Sequence, residues 1–132
     1  MLMLDLVDGS CFRPGDAIEG VVTWVCRGAP VGGAIKLRWT TRGKGSDDHE
    51  LVVNLELASL RRPGESSLDA LAAEDAREFS ITAPEGPYSF SGALISLTWT
   101  LRATLRPDDE EAELELTISP TGKELRLGAA AG

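Results

Sequence analysis

Residues 11–26 read CFRPGDAIEGVVTWVC. Pro14 fixes φ and Gly15 permits a bend, so the stretch opens as a tight turn. Beyond it, Ile18, Val22, Trp24 and Cys26 share one side while Glu19 and Thr23 share the other. That period of two is the mark of a half-buried strand, and Ile18 sets its inward register.

The same alternation extends outward along the chain. In AIKLRWTTR, Ile35, Leu37 and Trp39 alternate with Lys36, Arg38 and Thr40, as in an antiparallel strand with one solvated face. In ELVVNLEL, Leu51, Val53, Leu55 and Leu57 oppose Glu50, Asn54 and Glu56. In LISLTWTLRATL, Ile95, Leu97, Trp99, Leu101, Ala103 and Leu105 oppose Ser96, Thr98, Thr100, Arg102 and Thr104. Shorter strands are predicted over 2–7, over 77–82 with Phe79 and Ile81 inward, and over 112–119 with Leu114, Leu116 and Ile118 inward. A short eighth strand is predicted over 124–127. The turn signals RPGD, RGAPVGG, RGKGSDD, APEGPYS and RPDDEE separate them.

One segment departs from period two. Leu68, Leu71, Ala72 and Asp75 follow helical spacing in an Ala-rich stretch, and Ser66 with Asp69 offers a capping-box-like start, so a short helix is predicted over 66–76. About seven to eight strands with one helical crossover imply an all-β, immunoglobulin-like sandwich of two antiparallel sheets. There is no internal repeat and no linker, which predicts a single domain over 1–128 followed by a disordered tail over 129–132.

Composition narrows the function. A chain of 132 residues that is 42% hydrophobic is long enough for one core without a disulfide or metal staple. A net charge of −8 opposes attraction to phosphate backbones and anionic membranes. The opening MLMLDLVDG has no basic leader region, and Asp5 breaks its apolar run, which predicts a cytoplasmic protein. Cys11 and Cys26 fall at opposite ends of a strand roughly 30 Å long, so they are read as free thiols.

Little in the sequence points to catalysis. His49 is the lone histidine, no Cys, His or carboxylate pair has metal-ligand spacing, and neither YSFSG nor SSL sits in a nucleophile elbow. GAPVGG and GKGS precede strands instead of helices, so they are turns and not phosphate cradles. The acidic pairs at Asp47-Asp48 and around Asp108 to Glu111 raise a calcium site. If every connection reverses the chain, these two groups lie at opposite ends and cannot share an ion. No enzyme activity, cofactor or metal is expected.

The same count assigns a surface. The first, third and fifth loops, SCFRPGD, GKGSDDH and PEGPYSFSG, gather at one end and bring Phe12, Arg13, Lys44, Asp47, Asp48, His49, Tyr88 and Phe90 near each other. Mixed aromatic and charged loops on a rigid scaffold suit contact with a protein partner. The plainer alternative is that Phe12 and Phe90 cap the core. Open sheet edges, with Val21, Val25 and Val52 as an apolar patch, further suggest a homodimer.

Residues 1–24 resemble the start of an arrestin-type N-terminal domain, with Phe12, Pro14, Gly15 and Asp16 in its turn and Ile18, Gly20 and Val22 in the strand that follows. IKLRWTTRG is similar to that family's third strand. AREFSITAPEGPYSFSGALISLTWTLRATL is similar to its Pro-rich loop and long strand, through Pro87, Ser89, Phe90, Gly92, Ile95, Leu101 and Ala103. Several arrestins have their one helix where 66–76 is predicted. The resemblance covers nearly the whole chain and implies an arrestin-like sandwich acting as a non-enzymatic scaffold, as in trafficking adaptors, the retromer cargo subunit and bacterial sporulation-control proteins. The family usually has two such sandwiches where this sequence supplies one, and LMLDLVDG lacks the paired lysines of the phosphate-sensing members. Phosphoreceptor recognition is therefore not implied. A small-ligand or lipid-binding sandwich is the alternative, and a closed apolar pocket would mark it.

Overall fold

The computed structural model describes residues 1–7, 9–43, 48–64, 70–92, 95–107, 109–121 and 125–127. Ten strands form: β1 (Leu2–Leu6), β2 (Cys11–Phe12), β3 (Ala17–Val25), β4 (Gly32–Gly43), β5 (Asp48–Glu56), β6 (Glu74–Thr82), β7 (Phe90–Gly92), β8 (Ile95–Arg106), β9 (Glu110–Ile118) and β10 (Leu125–Leu127). A three-stranded sheet runs β1-β3-β6, and a larger one runs β10-β7-β8-β4-β5 with β9 on β8 and β2 on β9. The fold is an all-β, two-sheet sandwich.

All eight strands expected from alternation are present. The additions, β2 and β7, are too short to show a period, and β2-β9 and β10-β7 pair in parallel within the otherwise antiparallel arrangement. The inward residues do meet. Ile18, Val22 and Trp24 from one sheet, and Ile35, Leu37, Trp99 and Leu101 from the other, have no exposed surface. Burying such side chains contributes roughly 1.5–3 kcal/mol each. The side chain of Ile95 and the tail over 129–132 lie outside the described residues.

The predicted helix is not formed over its described residues, 70–76. Residues 66–69 lie outside the described part, 70–73 are irregular, and Glu74 to Ala76 already belong to β6, paired with β3. The reason is a competition for carbonyls. Ala70 accepts from Arg62 and Arg77, Ala72 accepts from the Trp24 indole at 2.8 Å, and Ala73 accepts from the Cys26 N–H at 2.8 Å. A helix over 66–76 would have used the Ala70 and Ala72 carbonyls internally. One helical turn does exist, a 3₁₀ turn at Leu57–Ser59 that buries Leu57.

The β6 residue Arg77 is fully buried, an expensive place for a cation. Its guanidinium donates to the Leu60 carbonyl at 2.8 Å and to Asp75 Oδ2 at 3.0 Å, while Arg62 Nε donates to Asp75 Oδ1 at 2.7 Å. Burial alone would raise the pKa of Asp75. Hydrogen bonds from Arg62 and Arg77, with those from the N–H groups of Ala72 and Ala76, outweigh it and hold the carboxyl well below its ordinary 3.8. This cluster fastens the crossover between β5 and β6 onto the core.

A second difference concerns β5. The β4-β5 register slips between Leu37 and Arg38, so Leu37 faces Val53 while Arg38 faces Leu51. The slip turns Leu51 out of the core, where it is 49% exposed, and the inward reading holds only from Val53 onward. The proposed valine patch also divides. Val21 and Val25 lie on β3, whereas Val52 is on β5 of the other sheet.

Two outcomes follow. A Cβ at Gly20 would collide with the Asp5 carbonyl and the Phe79 ring. Gly20→Ala is therefore expected to cost about 1–3 kcal/mol in urea unfolding. Asp75→Asn removes one partner of a buried pair and should cost about 3–5 kcal/mol near neutral pH. Because the native pKa is depressed, the stabilisation from ionised Asp75 is complete above the unfolded value and drains away as pH falls below about 4. Unfolding curves of the two proteins should converge in acid, and a constant gap down to about pH 3 would contradict this role for Asp75.

Candidate functional site

The RPGD turn is built as its residue types require. The Asp16 N–H donates to the Arg13 carbonyl at 3.0 Å, closing a four-residue turn, and Gly15 takes the left-handed φ of +88° that a type II turn demands at its third position. The Asp16 carboxylate then accepts from the Arg13 N–H at 2.8 Å. Two further bonds, Gly15 N–H to the Ala83 carbonyl and Ala83 N–H to the Asp16 carbonyl, lock the turn to the end of β6.

Ile118 joins this turn to the Pro-rich loop. Its N–H donates to Ser89 Oγ at 3.0 Å, and its carbonyl accepts from the Ser89 N–H at 2.7 Å. On its other side, Phe12 pairs with it in β2, where the Ser119 N–H donates to the Phe12 carbonyl. Trp99 ties the preceding residues by donating from its indole to the Pro87 carbonyl at 2.7 Å. Through Phe90 opposite Leu97, and Leu97 opposite Thr41, the ladder reaches the β4-β5 hairpin. There the Asp48 N–H donates to Thr41 Oγ1 at 3.0 Å.

The described parts of the first, third and fifth loops thus stand at one end. Their side chains divide in use. Phe12 is only 3% exposed, and Phe90 is half-buried against the core, so both aromatics cap the sandwich. Arg13, Asp48, Glu85 and Pro87 are exposed and Tyr88 is half-exposed. Lys44 and Asp47 lie outside the described residues. His49 leaves the group: it is in β5 opposite Thr40, and it lines a groove of about 230 Å³ on the larger sheet with Lys36, Arg38, Leu51 and Arg102. Ser89, 1% exposed, is the residue that pattern reading underestimates, because its hydroxyl works as a strand partner instead of a surface group.

The opposite-ends argument for the acidic loops also holds for the residues described. Asp48 pairs beside Thr41, whereas Glu110 and Glu111 pair with Leu105 and Thr104 at the far end of β8. Among the described residues no group of three or more His, Cys, Asp or Glu side chains could hold a metal ion. Cys11 and Cys26 are both free. The space between the sheets is filled by Trp24, Trp99 and their neighbours. The grooves lie on the surface, the larger, of about 540 Å³, running past Val7, Val21 and Leu60. No described helix is long and apolar enough to cross a membrane.

No protein-family model and no curated protein sequence matches this chain. Among solved structures, it is similar to Spo0M, a sporulation control protein from Bacillus subtilis, with a TM-score of 0.56 and 11% sequence identity. The match covers 89% of this chain and 49% of Spo0M, so the chain spans about half the length of that relative. At such identity the likeness is one of fold.

Ser89→Ala leaves the buried Ile118 N–H without its acceptor and should cost about 1–3 kcal/mol. Hydrogen exchange at the Ile118 amide should accelerate more than at the Trp24 amide in β3. Equal acceleration at both would mean that Ser89 acts through global stability alone.

Proposed function

We propose that this chain is a non-enzymatic, cytoplasmic interaction module that binds a protein partner through the loop end of the sandwich. The observation that carries the reading is the rigid presentation of that end. Four hydrogen bonds hold the Arg13 to Asp16 turn, and Ser89 and Trp99 hold the loop before β7, so Arg13, Asp48, Pro87 and Tyr88 are offered on fixed backbone. Preorganised side chains lose little entropy on binding, and tyrosine and arginine are favoured contact residues. Phe12 and Phe90 serve by holding the loops from below.

A regulatory role agrees with the likeness to a sporulation control protein. It also agrees with the electrostatics, since the strongly shifted carboxyl, Asp75, is buried 1% exposed in a structural ion cluster and not in a cleft. The filled interior counts against the small-ligand alternative, which needs room between the sheets.

The test is affinity capture from a lysate of the native host with the wild-type chain and with an Arg13→Glu, Asp48→Lys, Tyr88→Ala variant. These positions are exposed or half-exposed, so the fold should survive. Proteins retained by the wild type and lost by the variant are expected. Recovery of the same set by both baits would place the interaction elsewhere.

A further inference from the structure

We infer that this chain forms a homodimer by antiparallel pairing of strand β1 with β1 of a second copy, joining the two three-stranded sheets into one. The inference concerns a surface away from the loop end and stands independently of it.

The first observation is the open edge. β1 closes the order β1-β3-β6, and among the described residues no strand pairs with its other side. Met1 and Val25 exchange backbone bonds, and the Val7 N–H donates to the Glu19 carbonyl at 2.9 Å. Odd-numbered residues of β1 therefore bond to β3. By the alternation of an antiparallel ladder, the N–H and C=O groups of Leu2, Leu4 and Leu6 point to the free side.

The second is what guards the other edges and is missing here. Proteins protect open edges with charge, bulges or cover. Strand β5 has the register slip beside Val52, and pairing it with itself about Val52 would set Asp48 opposite Glu56. Strand β9 presents Glu110, Glu111, Glu113 and Glu115. The outer side of β6 is met by Arg61, whose carbonyl accepts from the Glu78 N–H. Strand β1 reads LMLDL, with one charge and no described irregularity.

The third is the sheet face beside that edge. Met1, Met3, Val7 and Val25 are 57%, 47%, 64% and 43% exposed, and all belong to β1, its continuation, or its neighbour β3. Three further large hydrophobics, Val31, Leu51 and Val52, are scattered elsewhere. Apolar side chains concentrated along one open edge mark an association surface.

The occupant is a second copy because the edge is complementary to itself. A two-fold axis through Leu4 sets Leu2 opposite Leu6 of the second copy and Leu4 opposite Leu4, and their free backbone groups bond across the seam. On the outer face, Met1 meets Val7 of the second copy and Met3 meets Asp5. No like charges stand directly opposite, and the leucines continue the inward face. An isologous contact of this kind closes at two copies and leaves no edge to propagate.

The register can be tested on the full chain by sedimentation and light scattering over a micromolar to millimolar concentration series. The wild type should dimerise. Because both copies carry −8, raising the salt should strengthen the dimer. Met3→Glu sets a carboxylate opposite Asp5 of the second copy twice per dimer, and self-association should weaken by about tenfold or more. Met3→Lys sets an ammonium there instead and should retain or tighten the dimer. Val31→Glu, at an exposed site off this edge, should change nothing. Met3 is on the outer face, so an unchanged far-ultraviolet circular dichroism spectrum will show that each variant folds. A wild type that stays monomeric overturns the proposal, as does equal weakening by Met3→Glu and Met3→Lys.

Discussion

Ile118 occupies the point on which the loop end of the sandwich depends. Its backbone amide and carbonyl are both taken by Ser89, one through the serine hydroxyl and one through the serine N–H, while β2 runs along its other side. A serine side chain here replaces a strand. The loop before β7 has no regular partner for Ile118, and a buried N–H without an acceptor is costly, so a hydroxyl at the right height completes the ladder. Residues around Phe12 and residues around Ser89, distant in sequence, each supply one flank of the same strand end.

At the other extreme of β6, an ion cluster does comparable work by different physics. Arg77 lies where an aliphatic residue would pack, and it is tolerated because Asp75 neutralises it while the Leu60 and Ala70 carbonyls accept from its terminal nitrogens. Removing one partner of a buried ion pair leaves an uncompensated charge in the interior, so the pair holds its two elements together once formed. Here the arrangement fixed is the path from β5 to β6. Its carbonyls face Arg62, Arg77 and Trp24, and that requirement excludes the helix that the same residues favour by propensity.

The edges of the two sheets are treated unequally. Acidic side chains and a register slip discourage pairing along β5 and β9, whereas β1 is short, apolar and regular. An edge without the guards found on β5, β6 and β9 is a difference in design, not a deficit of charge, since the chain has 21 acidic residues. The same contrast separates the two surfaces of interest. The loop end is polar and held rigid by hydrogen bonds, and the β1 side is apolar with backbone groups to offer.

The linear pattern determined which residues face inward on β3, β4, β6, β8 and β9 and on β5 from Val53 onward, because side-chain direction in a strand alternates whatever the neighbours are. It also determined the RPGD turn, because Pro14 and Gly15 restrict their own backbone, and it placed three loops at one end, because reversals can be counted. Tertiary structure decided what depends on distant partners. Phe12 became a buried cap of the core and Phe90 packs half-buried beside it, since the space beneath the loops had to be filled. Leu51 and His49 moved to the outer face of the larger sheet when one slip against β4 changed the register. The segment after residue 70 became extended chain because Arg77, Arg62 and Trp24 needed its carbonyls. None of those three donors lies within four residues of the carbonyl it satisfies, so no local pattern could reveal the competition that they win.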